Sequence, residues 1–256
     1  MATSRTTRQI NPTTESDRES VVLANSRLLR TTPIYMSLQN NYRTMTGSPP
    51  FENRTAAGEQ LAAALGERRV DADIVLAIPR GGLPLGRAVA DALDVPLDIV
   101  VAKKIGAPNN PEYAIGAVAS DGSVWRNEEA IGRVDDEYFR EKRAEEAENA
   151  REKARRYRGD RPEPELADRT VVVVDDGVAT GSTIRACLAK VRAENPEKIV
   201  LAVPVAPTDT ARELQSAVDE LVVLETPSPF RAVGQAYRHF DQVTDEEAIE
   251  YLDTSS

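Results

Sequence analysis

Thr170-Val171-Val172-Val173-Val174-Asp175-Asp176-Gly177-Val178-Ala179-Thr180-Gly181-Ser182-Thr183 is the stretch on which the fold turns. Its β-branched run shows no apolar/polar alternation, which predicts a central strand covered on both faces, as parallel sheets require. Two acids, a loop of small residues and a helical pattern over Ser182–Ala193 follow. In open α/β sheets ligands gather beyond the carboxyl ends of strands. A helix that starts there offers an anion free backbone N–H groups and the positive end of its dipole. Gly177 and Gly181 let the backbone approach closely, and Thr180, Ser182 and Thr183 add hydroxyl donors, so the loop reads as a cradle for a phosphomonoester. A Walker A loop is excluded, because the glycines are one residue too close and no lysine follows. The Gly-x-Gly-x-x-Gly dinucleotide fingerprint is also absent. Carboxylates beside a phosphate would repel it unless they served another part of the ligand, and a cation-associated ribose diol fits.

Outward from this stretch, strands and helices alternate. Ala56–Leu65 reads as a helix, Asp73–Ile78 as a buried strand, the segment from Pro84 through Leu93 as a helix and Leu97–Ala102 as a second strand. Asp121-Gly122 between Ala114–Ala119 and Ser123–Trp125 signals a hairpin. Asp136–Arg158 predicts a long charged helix with supportive pairs Asp136–Arg140 and Glu152–Arg156, its charge run a solvated face. Lys198–Val203 and Glu220–Leu224 read as further buried strands around a helix over Thr208–Val218. The alternation implies an α/β fold with a doubly wound parallel sheet of Rossmann type, bearing a β-hairpin/long-helix insertion.

Composition narrows the function classes. No run approaches the roughly 18 apolar residues of a membrane span, and the N-terminus carries no apolar segment followed by a small-residue cleavage site. Cys187 is the only cysteine, which excludes an intrachain disulfide and suits a reducing cytoplasm. The formal charge of −10 argues against a nucleic-acid partner, whose phosphates demand cations. Six of the 32 basic residues are lysines, a composition that suits a high-salt cytoplasm or a GC-rich genome. Residues 1–50 hold six arginines against three acids, which leaves −13 on residues 51–256. Polar and aperiodic, this segment reads as a disordered tail or an over-extended start, and residues 51–256 as the functional domain.

The apolar run, two acids, small-residue loop and Thr-Gly-x-Thr resemble the phosphoribosyl-pyrophosphate signature of type I phosphoribosyltransferases. The resemblance implies that Asp175 and Asp176 hold the ribose hydroxyls, while Val178, Ala179, Thr180, Gly181, Ser182 and Thr183 hold the 5′-phosphate, with Gly177 also in the substrate-binding loop. It also implies that Ile78-Pro79-Arg80-Gly81-Gly82-Leu83 is the pyrophosphate loop. Bare N–H groups at Gly81 and Gly82 plus Arg80 suit a diphosphate leaving group. Lys103 and Lys104 are expected to open a mobile loop, Ile105–Tyr113, that closes over the site with a small hood. Lys104 is the first choice for a pyrophosphate contact and Lys103 the second. Pro227–Gly234 is similar to the base-recognition segment of hypoxanthine-guanine enzymes, which makes Phe230 either a stacking residue or an apolar plug under the last strand. Those enzymes place an Asp where this chain has Ala179, so no general base is assigned. His239 reads as a surface residue and Cys187 as a small core residue.

From Phe51 to Leu252 the chain resembles a branch of phosphoribosyltransferases with no settled acceptor, through Phe51–Gly58, Lys104–Glu112, Asp176–Gly181 and Phe240–Val243. The expectation is Mg²⁺-dependent transfer from phosphoribosyl pyrophosphate to a nitrogenous acceptor, with pyrophosphate released. Arg80, Lys104, Asp175 and Asp176 would form the reacting centre. The Mg²⁺ would be held mainly by substrate, with Asp175 and Asp176 in reach through water and no direct protein ligand. A cytoplasmic homodimer is expected. The alternative is a non-catalytic phosphoribosyl pyrophosphate or nucleotide-binding regulator of the same fold.

Overall fold

The computed structural model describes residues 48–253 except Arg133, so the tail expected over residues 1–50 lies almost wholly outside the described residues. In chain order the elements are α1 (Arg54–Glu67), β1 (Ile74–Ala77), α2 (Gly82–Leu93), β2 (Leu97–Ile99), β3 (Ala102–Ala107), β4 (Asn110–Ala119) and β5 (Val124–Arg126). Then come α3 (Glu128–Ile131), α4 (Asp136–Arg158), β6 (Thr170–Val174), α5 (Ser182–Ala193), β7 (Lys198–Val205), α6 (Thr208–Gln215), β8 (Glu220–Glu225), a 3₁₀ turn (Val233–Ala236) and α7 (Asp245–Asp253). Five parallel strands form one sheet in the order β2-β1-β6-β7-β8, and β3-β4-β5 form a separate antiparallel sheet.

The valine run is central, as its lack of alternation predicts. Val172 and Val174 face a core built with Leu61 and Leu65 of α1 and Leu85 and Val89 of α2. Val171 and Val173 face the opposite core, with Ile184, Cys187 and Val191 of α5. Both faces are dry, so every residue of the run must be apolar. Small residues let the first layer close down. A Cβ on Gly58 would lie 2.8 Å from the Leu85 Cα, and one on Gly86 2.9 Å from the Ala77 Cβ.

Two expectations about the strands need correction. Leu97–Ala102 does not form one strand: β2 ends at Ile99, the Val100 N–H donates to the Ala77 carbonyl, and Ala102 begins β3 in the second sheet. Ile105–Tyr113 is not an open loop but the outer end of a β3–β4 ribbon, in which Lys103 lies opposite Val118, Lys104 opposite Ala117 and Ala107 opposite Asn110. Its Gly, Asn and Pro residues, read as loop signals, build a bulge and a turn inside the ribbon. A Cβ on Gly106 would collide with the Pro111 carbonyl oxygen.

The long helix has the predicted bounds. Asp135 caps it by accepting from the N–H groups of Glu137 and Tyr138, acids occupy its first turn, and three arginines its last. Neither expected i,i+4 pair forms. Arg140 donates to the Asp136 carbonyl, and Arg156 reaches across to Asp245 on α7. Ala147, Ala150, Ala154 and Tyr157 make a buried stripe, so one face of α4 is a packing surface.

The Gly58 contact is with backbone and cannot be relieved by a rotamer change. Gly58→Leu should cost about 2 kcal/mol through overpacking. In a chain of this size that lowers the thermal unfolding midpoint by about 4–8 °C. An unchanged midpoint in calorimetry would contradict the close α1–α2 packing.

Candidate active site at the β1/β6 switch point

From β1 the chain crosses to β2 on one side, and from β6 it crosses to β7 on the other. The loops leaving these adjacent strands therefore diverge and leave a crevice at their carboxyl ends. Pro79–Gly81 leaves β1 and Asp175–Gly181 leaves β6, so the two segments singled out in the sequence meet there. Their contact is close: a Cβ on Gly81 would collide with Asp176 Oδ2, and one on Gly82 would fall 2.7 Å from the Val174 carbonyl oxygen. Gly81 has ordinary right-handed helical dihedrals, so glycine is needed there for space and not for conformation.

The backbone donors divide into spent and unspent. The Gly82 N–H donates to the Ile78 carbonyl and that of Leu83 to the Arg80 carbonyl, whereas the N–H groups of Arg80 and Gly81 reach no backbone acceptor among the described residues. In the second loop the Val178 N–H donates to the Val205 carbonyl at 2.8 Å and its side chain is buried, which makes Val178 an anchor. Ala179 and Thr180 are exposed, and the N–H groups of Ala179, Thr180 and Gly181 find no backbone acceptor among the described residues. Gly181 is left-handed (φ +73°), which turns the chain into α5 with no side-chain cap on the helix. The loop's own carbonyls are secured from outside: Thr210 donates to Ala179 at 3.0 Å and Arg185 to Thr180 at 2.7 Å. The Thr180 and Ser182 hydroxyls lie 3.1 Å apart, and Thr183 follows in the first turn of α5.

Arg54 is a site residue that the sequence reading did not single out. Its Nε donates to Asp176 Oδ2 at 2.8 Å, its Nη1 to the Asp241 carbonyl at 2.6 Å, and its guanidinium sits 3.9 Å from the centre of the Phe240 ring. Phe240 stacks on Tyr237 at 4.9 Å, and the Tyr237 hydroxyl donates to the Asp176 carbonyl at 2.5 Å. The segment after β8 thus folds back over the acid pair as the expected hood. It is tied to the chain before α1 by Phe51 N–H to the Ala236 carbonyl and Arg238 N–H to the Phe51 carbonyl. Phe230 lies partly buried against this core, and His239 is exposed beside Glu52. Burial lifts the Asp175 carboxyl well above the usual carboxylate range, and the neighbouring Asp176 charge adds to the lift. Burial raises Asp176 too, with Arg54 opposing it.

Cations arrive from several elements. Arg80 pairs with Asp245 at 3.3 Å, and the same carboxylate accepts from Arg156 at 2.9 Å and from the Tyr157 hydroxyl at 2.5 Å. The Tyr157 hydrogen bond is the main reason Asp245 is held below the usual carboxylate range. Lys104 is paired within the ribbon, donating to the Glu112 carboxylate at 3.0 Å and to the Glu112 carbonyl at 3.1 Å. Alternation along β3 turns Lys103 to the other face, toward α4, where its charge acts on Lys153. Lys153 of α4, also unforeseen, donates to the Pro79 carbonyl at 2.7 Å. One signal was available: Lys153 sits between Ala150 and Tyr157 on the apolar stripe of an otherwise charged helix.

An open parallel sheet whose switch point joins a glycine turn to an acid pair and a phosphate-type loop defines a phosphoribosyltransferase fold. The sequence pattern of the phosphoribosyl transferase domain matches residues 52–237, and the chain belongs to that family. Two Mycobacterium tuberculosis proteins, named "Putative phosphoribosyl transferase MT0597" and "Putative phosphoribosyl transferase Rv0571c", are each 39% identical over 205 residues. The matched region is 79% of this chain and 46% of each relative, so the chain spans about half the length of the curated relatives it matches. The crystal structure of TT1426 from Thermus thermophilus is similar at 40% identity and a TM-score of 0.70, over 79% of this chain and 97% of that one.

Two outcomes follow from the acid pair. Gly81→Ala drives a methyl group into Asp176, an overpacking that should cost about 1–3 kcal/mol and lower the calorimetric unfolding midpoint by about 2–8 °C. An unchanged midpoint would mean that the turn does not meet the acid. Asp175 holds its proton more tightly in the folded protein than in the unfolded chain. The stability its neutral form contributes is therefore lost as pH rises from the ordinary carboxylate range through the raised value. Asp175→Asn should raise the midpoint at pH 7, a gain that shrinks toward about pH 4; a lower midpoint at pH 7 would contradict this.

Proposed function

We propose that the chain is a Mg²⁺-dependent phosphoribosyltransferase that moves the phosphoribosyl group of phosphoribosyl pyrophosphate to a nitrogenous acceptor, a nucleobase or small amine. The observation that carries this is the contact of the Arg80-Gly81-Gly82 turn with Asp175-Asp176 at the switch point. That contact sets a diphosphate-type loop and a diol-type acid pair side by side. The 5′-phosphate would take the unspent amides of Ala179–Gly181 and the hydroxyls of Thr180, Ser182 and Thr183. Asp175 and Asp176 would accept from the ribose hydroxyls.

In the reaction the C1′–oxygen bond to diphosphate breaks, a nitrogen lone pair forms the new bond to C1′, the leaving diphosphate keeps the electron pair of the broken bond, and the proton shed by the acceptor nitrogen passes to solvent. The protein contributes position and charge neutralisation. Arg80 and Lys104 would face the departing charge, Lys104 once released from Glu112, while the hood excludes water from an oxocarbenium-like centre. The donor set suits a substrate-borne metal. Among the described residues no three acidic or imidazole groups converge, and Asp176 already holds Arg54. Mg²⁺ would thus ride on the diphosphate, with Asp175 and Asp176 reaching it through water, and would neutralise the leaving group. No helix among the described residues is long and apolar enough to cross a membrane; that the enzyme is a cytoplasmic homodimer is a separate proposal, which rests on the family resemblance and, for the compartment, on the single cysteine.

Pyrophosphate release from phosphoribosyl pyrophosphate with Mg²⁺, measured across a panel of nucleobases and small amines, should reveal turnover with at least one acceptor. Tight binding without turnover for any of them would instead favour a regulator. The double variant Asp175→Asn/Asp176→Asn should weaken phosphoribosyl pyrophosphate binding by about 10- to 100-fold, the worth of one charge-assisted contact or more. Unchanged affinity would remove the ribose assignment.

A further inference from the structure

The loop after β1 is held on one side by the acid pair and on the other by α4. Lys153 reaches it from that helix, its ammonium 2.7 Å from the carbonyl oxygen of Pro79, the residue just before Arg80 and Gly81 and their unspent N–H groups. An ammonium has three donors. One is spent on Pro79; the Tyr157 ring lies 5.8 Å away, and no other acceptor engages Lys153 among the described residues. The side chain is half-buried on the packed face of α4, between Ala150 and Tyr157. Its stem lies along the packed face of α4, which sets the ammonium beside the loop.

The surroundings are cationic. Arg80 from the loop and Lys103 from β3 act on Lys153 with like charge, and Asp175 is the carboxylate that opposes them. Cys187 of α5 is a weaker neighbour, the Tyr157 hydroxyl is turned to Asp245, and Asp245 pairs with Arg80. The loop after β1 and strand β3 thus bring Arg80 and Lys103 within electrostatic reach of Lys153, with Asp175 the carboxylate that opposes them there, in a protein that carries −10 overall. Such a cluster is costly unless a polyanion occupies it.

We propose that Lys153 is a substrate-binding residue of the diphosphate end of the site, its free N–H groups completing with Arg80 and the Arg80–Gly81 amides a pocket for the leaving pyrophosphate. This rests on the phosphoribosyl pyrophosphate reading above and adds to it a residue from the long helix. Burial, then the charges of Lys103 and Arg80, bring the ammonium down to about 8. Its contribution is therefore nearly full at pH 7 and fades as pH rises through about 8.

Calorimetry on the full chain separates the possibilities, with magnesium pyrophosphate and ribose 5-phosphate as the two probes. Wild type should bind both. Lys153→Met should bind pyrophosphate about 10- to 100-fold more weakly, the loss of one charge-assisted hydrogen bond, with ribose 5-phosphate within about twofold. That second probe also shows that the variant is folded. Lys153→Arg should restore pyrophosphate binding at pH 7 and abolish the wild-type fall in affinity between pH 7 and 9. Equal pyrophosphate affinity in Lys153→Met and wild type would overturn the proposal and leave the phosphoribosyltransferase reading standing. A matching loss of both probes would reduce Lys153 to a scaffold latch, which also overturns it. Wild type that binds neither probe would sink the wider reading and this proposal with it.

Discussion

The site depends on a steric constraint between two adjacent parallel strands. At the end of β1 the backbone of Gly81 and Gly82 lies against the carboxylate of Asp176 and the last carbonyl of β6, with no room for a methyl group between them. Parallel neighbours place their carboxyl ends at the same edge of the sheet, and the reversal of strand order between β1 and β6 opens that edge into a crevice. One loop brings unspent amides and an arginine, the other two acids and a phosphate-type turn, and their separation is fixed by the strand pairing from Ile74–Val171 to Ala77–Val174. A side chain at position 81 would force them apart.

Holding two carboxylates in this place is unfavourable for folding, as the upward displacement of both their pKa values shows. The structure compensates from its periphery. Arg54 at the start of α1 neutralises Asp176, Tyr237 fastens the Asp176 carbonyl, and Phe240 covers the guanidinium. On the side of the loop after β1 the order is reversed: cations are in excess, and Asp245 at the start of α7 restrains Arg80. The crevice thus carries opposite electrostatic tension at its two ends, acidic at Asp175 and Asp176 and basic at Arg80 and Lys153. A ligand that has both a sugar diol and a diphosphate would relieve both at once.

The helix α4 takes part in this arrangement although its composition suggests a solvated rod. Its exposed side carries pairs such as Lys142–Glu145 and Arg151–Glu148, each worth little. Its inner side packs Ala147, Ala150, Ala154 and Tyr157 and presents Lys153 and Tyr157 to the loop after β1 and to Asp245. Packing and charge placement are thus coupled through one helical stripe.

The sequence by itself determined the parallel sheet, the elements around β6 and the placement of Asp175–Thr183 at a strand end. These follow from local rules: an unalternating β-branched run must be buried on both sides, and glycines, hydroxyls and acids have few uses at such a terminus. It also placed the Arg80-Gly81-Gly82 turn and fixed the bounds of α4, since caps and dipole-matched charges act within one turn. Only the tertiary structure decided which strands are neighbours, that the chain leaves one sheet for another after Ile99, and that the residues after Lys104 form a ribbon. It alone brought Arg54 to Asp176 across 122 positions of sequence and Lys153 to Pro79 across 74. Charge attraction and hydrogen bonding depend on distance in space, and no periodicity along the chain records which distant residues the folded sheet sets side by side.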